Sequence, residues 1–207
     1  MRKTFSWIEK HELYNANVVE MNARSLGFQP GSFDIALSGF MGWYDCFDFV
    51  RGQFTQPDTK TAGIWRVLKD EGRLAICSWD KQEDLGWMEA AFIRHMPAIL
   101  DDREYIERHP IGMADETPDG YEIIFQEAGF RDVEISTETA EFVSTDEEEW
   151  WRQMRRVGWD SFFKKVESDS ADKLQRVKDA ILQDLQPYKQ ADGIHFTKAA
   201  FFVCGVK

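Results

Sequence analysis

Apolar positions along this chain change their period several times, and the changes divide it into alternating helices and strands. Residues 2–13 set Phe5 and Ile8 on one side of a polar stretch. Asn15 and Asn17 then interrupt before the short run Val18-Val19-Glu20-Met21, which predicts helix, turn and strand. Pro30-Gly31 marks another turn, and Ser32-Phe33-Asp34-Ile35-Ala36-Leu37-Ser38-Gly39 has the length and apolar content of a buried parallel strand. Thr59 to Lys69 places Ala62, Trp65 and Leu68 on one helical face, with Gly72 as the stop. Arg73 to Trp79 is again nearly continuously apolar, so strand, helix and strand in this order predict a right-handed parallel crossover.

Leu85 to Leu100 reads as a second helix, rich in aromatic residues and Met and interrupted by Pro97. Residues 101–118 carry charges, two prolines and little periodicity, and 81–120 as a whole is expected to form a cap or substrate-side insertion. Tyr121 to Ala128 predicts a helix stopped by Gly129, followed by a strand around Val133, Ile135 and Thr137. Thr145 with Glu148 has the spacing of a capping box opening a helix through Arg156. Residues 169–186 put Leu174, Val177, Ile181 and Leu185 on one face of an amphipathic helix ending before Pro187, and Phe196 to Val206 closes the chain as a strand.

At 207 residues, with 43% hydrophobic and 14% aromatic side chains, the chain is expected to form a single domain, 1–207, around a sizeable core. Lys and Arg total 25 against 37 Asp and Glu, a formal charge of −12 that repels phosphate backbones and anionic lipid. Nucleic acid and membrane are therefore not expected partners. No run approaches the roughly 20 apolar residues of a membrane span, and charges follow the N-terminal Met-Arg-Lys, so the expected location is cytoplasmic. Cys46, Cys77 and Cys204 are widely spaced and odd in number, the pattern of reduced core thiols, and no His or Cys spacing suggests a metal site.

Three segments, in order, carry a family resemblance. They are Asn22-Ala23-Arg24-Ser25-Leu26-Gly27-Phe28 followed by Ser32-Phe33-Asp34, then Arg66-Val67-Leu68-Lys69-Asp70-Glu71-Gly72-Arg73-Leu74, then Gln126-Glu127-Ala128-Gly129-Phe130. This ordered set resembles class I S-adenosylmethionine-dependent methyltransferases of the small-molecule type. The resemblance implies an α/β fold: a Rossmann-like methyltransferase sheet with helices on both faces, a helical or loop insertion, and the family strand order 3-2-1-4-5-7-6. It implies S-adenosyl-L-methionine as cofactor. Asn22 with Ala23 would lie at the adenine, and Ser38, Gly39, Phe40 and Met41 would form the cofactor-facing wall. Trp43, Tyr44, Trp79 and His109 would line the substrate pocket; no catalytic residue is assigned.

In one feature the chain departs from the family. Its sequence contains no Gly-x-Gly, whereas family members carry a glycine-rich turn after a first strand and an acidic ribose ligand after a second. The resemblance therefore implies an N-terminally truncated member lacking those two strands, with Met1 at an internal methionine of the family. Losing the ribose carboxylate alone would forfeit hydrogen bonds of about 1.5–3 kcal/mol each. It would also leave the strand near Val18 without a neighbour and the strand near Ile35 with an open hydrophobic edge. Two functions follow as expectations: a small-molecule methyltransferase impaired by the missing motif, or a catalytically inactive interaction module that pairs through its open edge with itself or another chain.

The aromatic residues also have structural readings. Trp65 and Phe92, at helical spacing, are expected in the core, and Trp150-Trp151 behind an acidic helix start are expected to pack inward.

Overall fold

A computed structural model describes residues 2–100 and 116–207. In chain order the elements begin with α1 (Arg2–Lys10), β1 (Phe33–Gly39), β2 (Phe47–Asp48), β3 (Gln53–Phe54), α2 (Thr59–Val67) and β4 (Leu68–Gln82). Next come α3 (Glu83–Ile99), α4 (Pro118–Glu127), β5 (Arg131–Ser144) and α5 (Glu147–Met154), which runs through a π-helical turn at Arg155–Trp159 into α6 (Asp160–Asp169). The chain closes with α7 (Ala171–Asp184), β6 (Lys189–Gln190) and β7 (Gly193–Val206). The main sheet has the order β1-β4-β7-β5, with β6 paired antiparallel to β7, and β2 and β3 form a separate small hairpin. Read in family numbering, β1, β4, β7 and β5 are strands 4, 5, 7 and 6, so the order is the last four positions of the sheet that the resemblance implied.

The chain divides into two compact units: Met1–Ile76 with Pro118–Ile135 and Val203–Lys207, and Cys77–Thr117 with Ser136–Phe202. In the first unit, alternation along β4 sends Gly72, Leu74 and Ile76 inward and leaves Arg73 exposed, the period of a strand with one face on a core. Trp43, Phe47, Tyr121, Ile124, Phe125 and Val203 complete that core. Trp43 meets Tyr121 edge to face at 5.5 Å.

The junction of α2 and β4 gathers the rest of this unit. Gly31 N–H donates to Arg66 O and Ser32 N–H to Val67 O, while the Arg66 guanidinium donates to the carbonyls of Leu26 and Phe28. Lys69 holds Asp34 at 2.8 Å, Arg131 pairs with Glu71, and Lys207 donates its backbone N–H to Gly72 O and its Nζ to Leu68 O. A Cβ on Gly72 would lie 2.7 Å from Lys69 O and 3.2 Å from Asp34 O, so only glycine lets these backbones approach.

The second unit is built on helices. Met88, Phe92 and Met96 of α3 pack with Trp150, Trp151 and Met154 of α5, Phe163 and Val166 of α6, Val177 and Ile181 of α7, and Leu185, Ile194 and Phe196. The α7 face drawn from periodicity is the buried one, and Phe92 and the Trp150-Trp151 pair are in the core as expected.

Several local expectations differ. The run at 32–39, expected as a buried strand, forms β1 but is largely exposed, because among the described residues only β4 lies beside it. Of the three expected core thiols Cys46 alone is buried; Cys77 is half-buried, and alternation along β7 turns Cys204 outward between the buried Val203 and Gly205. Gly72, expected to stop the helix, lies within β4, the helix ending at Val67. Val18-Val19-Glu20-Met21 is irregular and Val19 exposed, because among the described residues no strand lies alongside it and an isolated strand has no ladder to satisfy its backbone. In α2 the buried face is Lys60, Thr61, Ile64 and Val67, leaving Ala62 exposed and Trp65 37% exposed. Trp65 serves instead at the rim, where Lys207 Nζ stands 4.2 Å from its ring centroid. At α5 the cap falls one residue later than expected: Asp146 accepts from Glu149 N–H, and Glu149 Oε2 reaches back to Thr145 N–H at 2.8 Å. Aspartate is the stronger cap, and Glu148 is left to bind Lys178 at 2.6 Å. His109 and the rest of 101–115 lie outside the described residues. Among the described residues no helix is long and apolar enough to cross a membrane.

Two substitutions test this packing. Gly72→Ala is expected to lower stability in urea unfolding by about 1–3 kcal/mol, since backbone must shift to admit the methyl. Ile181→Ala, which empties a fully buried site, is expected to cost about 2–5 kcal/mol by the same measurement.

Candidate functional site

The expected cofactor residues lie in the first unit, before β1, at its end and just after it. The strand ends at Gly39, and the chain reverses through Phe40 at φ 54° and Gly42 at φ 71°. A phenylalanine in the left-handed region is strained and persists only where its surroundings hold it. The loop that follows is anchored by α2. Asp58 caps that helix, its Oδ1 accepting from Lys60 and Thr61 N–H at 2.9 and 3.0 Å. The cap aims the buried Lys60 side chain back at the loop, where Nζ donates to Gly42 O at 2.8 Å and to Asp45 Oδ1 at 2.6 Å and stands 4.8 Å over the Trp43 ring. Trp43 donates its indole N–H to Thr61 Oγ1 at 2.9 Å, and its carbonyl accepts from both Cys46 and Phe47 N–H.

Asp45 has a second cation, the Arg24 guanidinium. Arg24 belongs to the turn at Asn22, whose Oδ1 accepts from Arg24 N–H at 2.9 Å and whose carbonyl accepts from Ser25 N–H. One run of contacts therefore ties the Asn22-Ala23 turn to the loop after β1: Arg24 to Asp45, Asp45 to Lys60, Lys60 to Gly42. Burial pushes the Asp45 carboxyl up, but hydrogen bonds from Lys60 and Arg24, with their charges, outweigh it and hold it below the usual carboxylate range. Burial, reinforced by the Asp58 charge, pushes the Cys46 thiol to about 11, so it stays protonated and unreactive at neutral pH.

The structure places the expected residues as follows. Asn22 and Gly39 are exposed and Ala23 is half-buried. Ser38 is half-buried, but its Oγ is buried without a hydrogen-bond partner among the described residues. Phe40 and Met41 are exposed at the turn, as is Tyr44. Trp43, expected to line a pocket, is fully buried, so its indole is the packed floor beneath the loop rather than a free surface. Trp79 belongs to the second unit, half-buried, with Lys198 Nζ 5.9 Å from its ring and Lys198 paired to the buried Asp84 at 2.6 Å. A groove of about 340 Å³ in the first unit, lined by Arg73, Asp132, Glu134, Cys204, Gly205 and Val206, contains none of the expected cofactor residues.

The Arg24, Asp45 and Lys60 network was not anticipated. A signal for it existed: a lysine in the first turn of a helix sits at the positive end of the dipole, and such a cation calls for a carboxylate nearby.

No family model matches this sequence, and no curated protein is significantly similar to it. Solved structures do match. A proposed methyltransferase of Bacillus halodurans C-125 aligns over 98% of this chain and 76% of its own at 18% identity, with a TM-score of 0.51. The YcgJ protein of Bacillus subtilis aligns over 98% and 75% at 16% identity, with a TM-score of 0.50. Together with the strand order, these alignments define the class: the chain has the α/β fold of class I S-adenosylmethionine-dependent methyltransferases. Identities of this size establish the fold alone.

The Asp45 linkage has a definite sign. Its folded pKa lies below the ordinary 3.8, so its contribution is present above that value and is lost as pH falls through the folded value. Lys60→Met is expected to lower stability at pH 7 and to flatten the loss below about pH 4, where Asp45 titrates. Urea midpoints of the two proteins at pH 7, 4 and 3 check both effects.

Proposed function

We propose that this chain is an S-adenosylmethionine-dependent methyltransferase acting on a small molecule. The observation that carries the reading is the loop after β1: within the methyltransferase strand order, a strained Phe40 leads into a loop that a buried lysine anchors at Gly42 O and Asp45. Loops are held in sparsely populated conformations where function demands them.

The residues present fit two ends of the cofactor. Asn22 Oδ1 uses one lone pair on Arg24 N–H, and its second can accept from the adenine amino group. Gly39 carries no side chain, so backbone can come close to the methionine end, with Ser38 Oγ as an uncommitted donor and Phe40 and Met41 as an apolar wall. The cofactor itself supplies an electrophilic methyl group, which moves by in-line displacement. Positioning provides much of the rate in such a reaction, and no side chain is assigned as a base. Tyr44, 67% exposed beside this wall in sequence, is the substrate-side aromatic of the proposal. A charge of −12 favours an uncharged or cationic small molecule over a polyanion.

A second reading has its own observation. Ile35 and Leu37 are 61% and 80% exposed on a strand at the end of the sheet, which favours an interaction module pairing through that edge. Titration calorimetry of the chain with S-adenosylhomocysteine separates the two. Micromolar binding, weakened about tenfold in Asn22→Ala by the loss of one hydrogen bond, is expected for the methyltransferase. No heat at millimolar ligand would overturn that reading and leave the interaction module.

A further inference from the structure

We propose that Asp45 is a positioning residue for the cofactor: paired at once with Arg24 and Lys60, it makes the Asn22 turn and the Gly39–Tyr44 loop order and loosen together. The inference rests on the reading that Asn22 meets the adenine end of S-adenosylmethionine and the Gly39–Met41 stretch its methionine end. It adds to that site three side chains that act through others.

Neither stretch belongs to a helix or a strand beyond Gly39, and Phe40 and Gly42 carry positive φ. Irregular segments of this kind open at the lowest free energy in a fold. Asn22 closes its own turn, its Oδ1 accepting from Arg24 N–H and its carbonyl from Ser25 N–H, each at 2.9 Å. Those bonds are local and set the shape of the turn, not its place. The Arg24 side chain reaches out of it, with Nη2 donating to Asp45 Oδ2. Asp45 Oδ1 accepts from Lys60 Nζ at 2.6 Å, and the same ammonium donates to Gly42 O at 2.8 Å. The carboxylate thus gives one oxygen to the cation of each stretch. An amide there would offer one oxygen and one donor, and a donor has nothing to give Arg24 or Lys60.

Burial differs along the run, and the difference assigns the parts. Lys60 is 5% exposed, stands over the Trp43 ring and belongs to the first turn of α2 that Asp58 caps, so it is the fixed end. The Arg24 and Asp45 side chains are 44% and 36% exposed, and a pair that open to water adds little to global stability. A contact that does little for the fold and yet joins two irregular stretches is suited to setting their geometry. Without it, a ligand that spans both stretches bears the cost of ordering each one; with it, ordering either stretch orders the other.

The experiment uses the full chain and two measurements. Calorimetric titration with S-adenosylhomocysteine compares Arg24→Met, Lys60→Met and the double variant. Each single change is expected to weaken binding about five- to tenfold, and the double change by no more than about the larger single factor, because both act through Asp45. Arg24→Lys, which keeps a cation for a contact made through one nitrogen, is expected to bind within about twofold of the unchanged chain. Amide hydrogen exchange on the ligand-free chain reads the same link without cofactor. In Lys60→Met the protection of the Arg24 and Ser25 amides is expected to fall about tenfold relative to the Gly31 and Ser32 amides, which are held by Arg66 and Val67 outside the run. Factors that multiply in the double variant, full affinity in Arg24→Met, or equal loss of protection at all four amides would overturn the proposal and leave the methyltransferase reading standing. No binding by the unchanged chain at millimolar ligand would overturn that reading and the cofactor role of Asp45 together, so the two failures are told apart. Should Lys60→Met unfold, Arg24→Met decides by its affinity and by exchange of the Phe47 amide, bonded to Trp43 O, against the same reference amides.

Discussion

The α2–β4 junction is the constraint on which the first unit depends. At the seven residues from Arg66 to Gly72, backbone and side chains from three distant segments meet the end of the helix: the 26–34 approach to β1, the start of β5 and the end of β7. Buried backbone groups must be paired, and here the partners come from far along the chain rather than from a local ladder. That convergence fixes where β1 can lie and therefore where its carboxyl end opens into the Gly39–Tyr44 loop. Gly72 permits it by having nothing to place between Lys69 O and Asp34 O.

Around that frame, charge does the work that apolar packing cannot do at a loop. Lys60 is buried, yet it is satisfied by Gly42 O, Asp45 and the face of Trp43, so its desolvation is offset by three partners. The same ammonium links the Asn22 turn to the loop through Arg24 and Asp45. Two stretches distant along the chain are thereby held in one geometry. Asp84 with Lys198 plays a comparable part in the second unit, where a carboxylate in the first turn of α3 suits the helix dipole.

Elements whose burial follows one repeated period were readable in advance. Val177, Ile181 and Leu185 recur at helical spacing and are all buried, whereas the apolar run at 32–39 is a strand, as expected, but an exposed one. Where one feature had to be chosen among near equivalents, periodicity failed. The apolar face of α2 was set one residue away, because Trp65 is drawn to the rim by Lys207, a residue at the other end of the chain. Val18 to Met21 has strand composition without strand structure, since composition states a preference and a ladder requires a neighbour. Of the candidate site, Asn22 and the Ser38–Met41 stretch were named by resemblance. Trp43 was legible as important but not as core, because an aromatic next to a glycine turn reads the same whether it faces in or out until Thr61 and Tyr121 are placed around it.

The amino-acid sequence by itself determined the order of helices and strands, the acidic surface and the likeness to a methyltransferase fold, since these depend on local period, counted charge and short motifs. Only the tertiary structure decided that Lys60 is buried beneath the loop, that Trp43 is packed between Thr61 and Tyr121, and that, among the described residues, Ser38 Oγ lacks a partner. Those facts turn on which distant segments are neighbours, and hydrogen bonding and burial act between neighbours in space, whatever their separation along the chain.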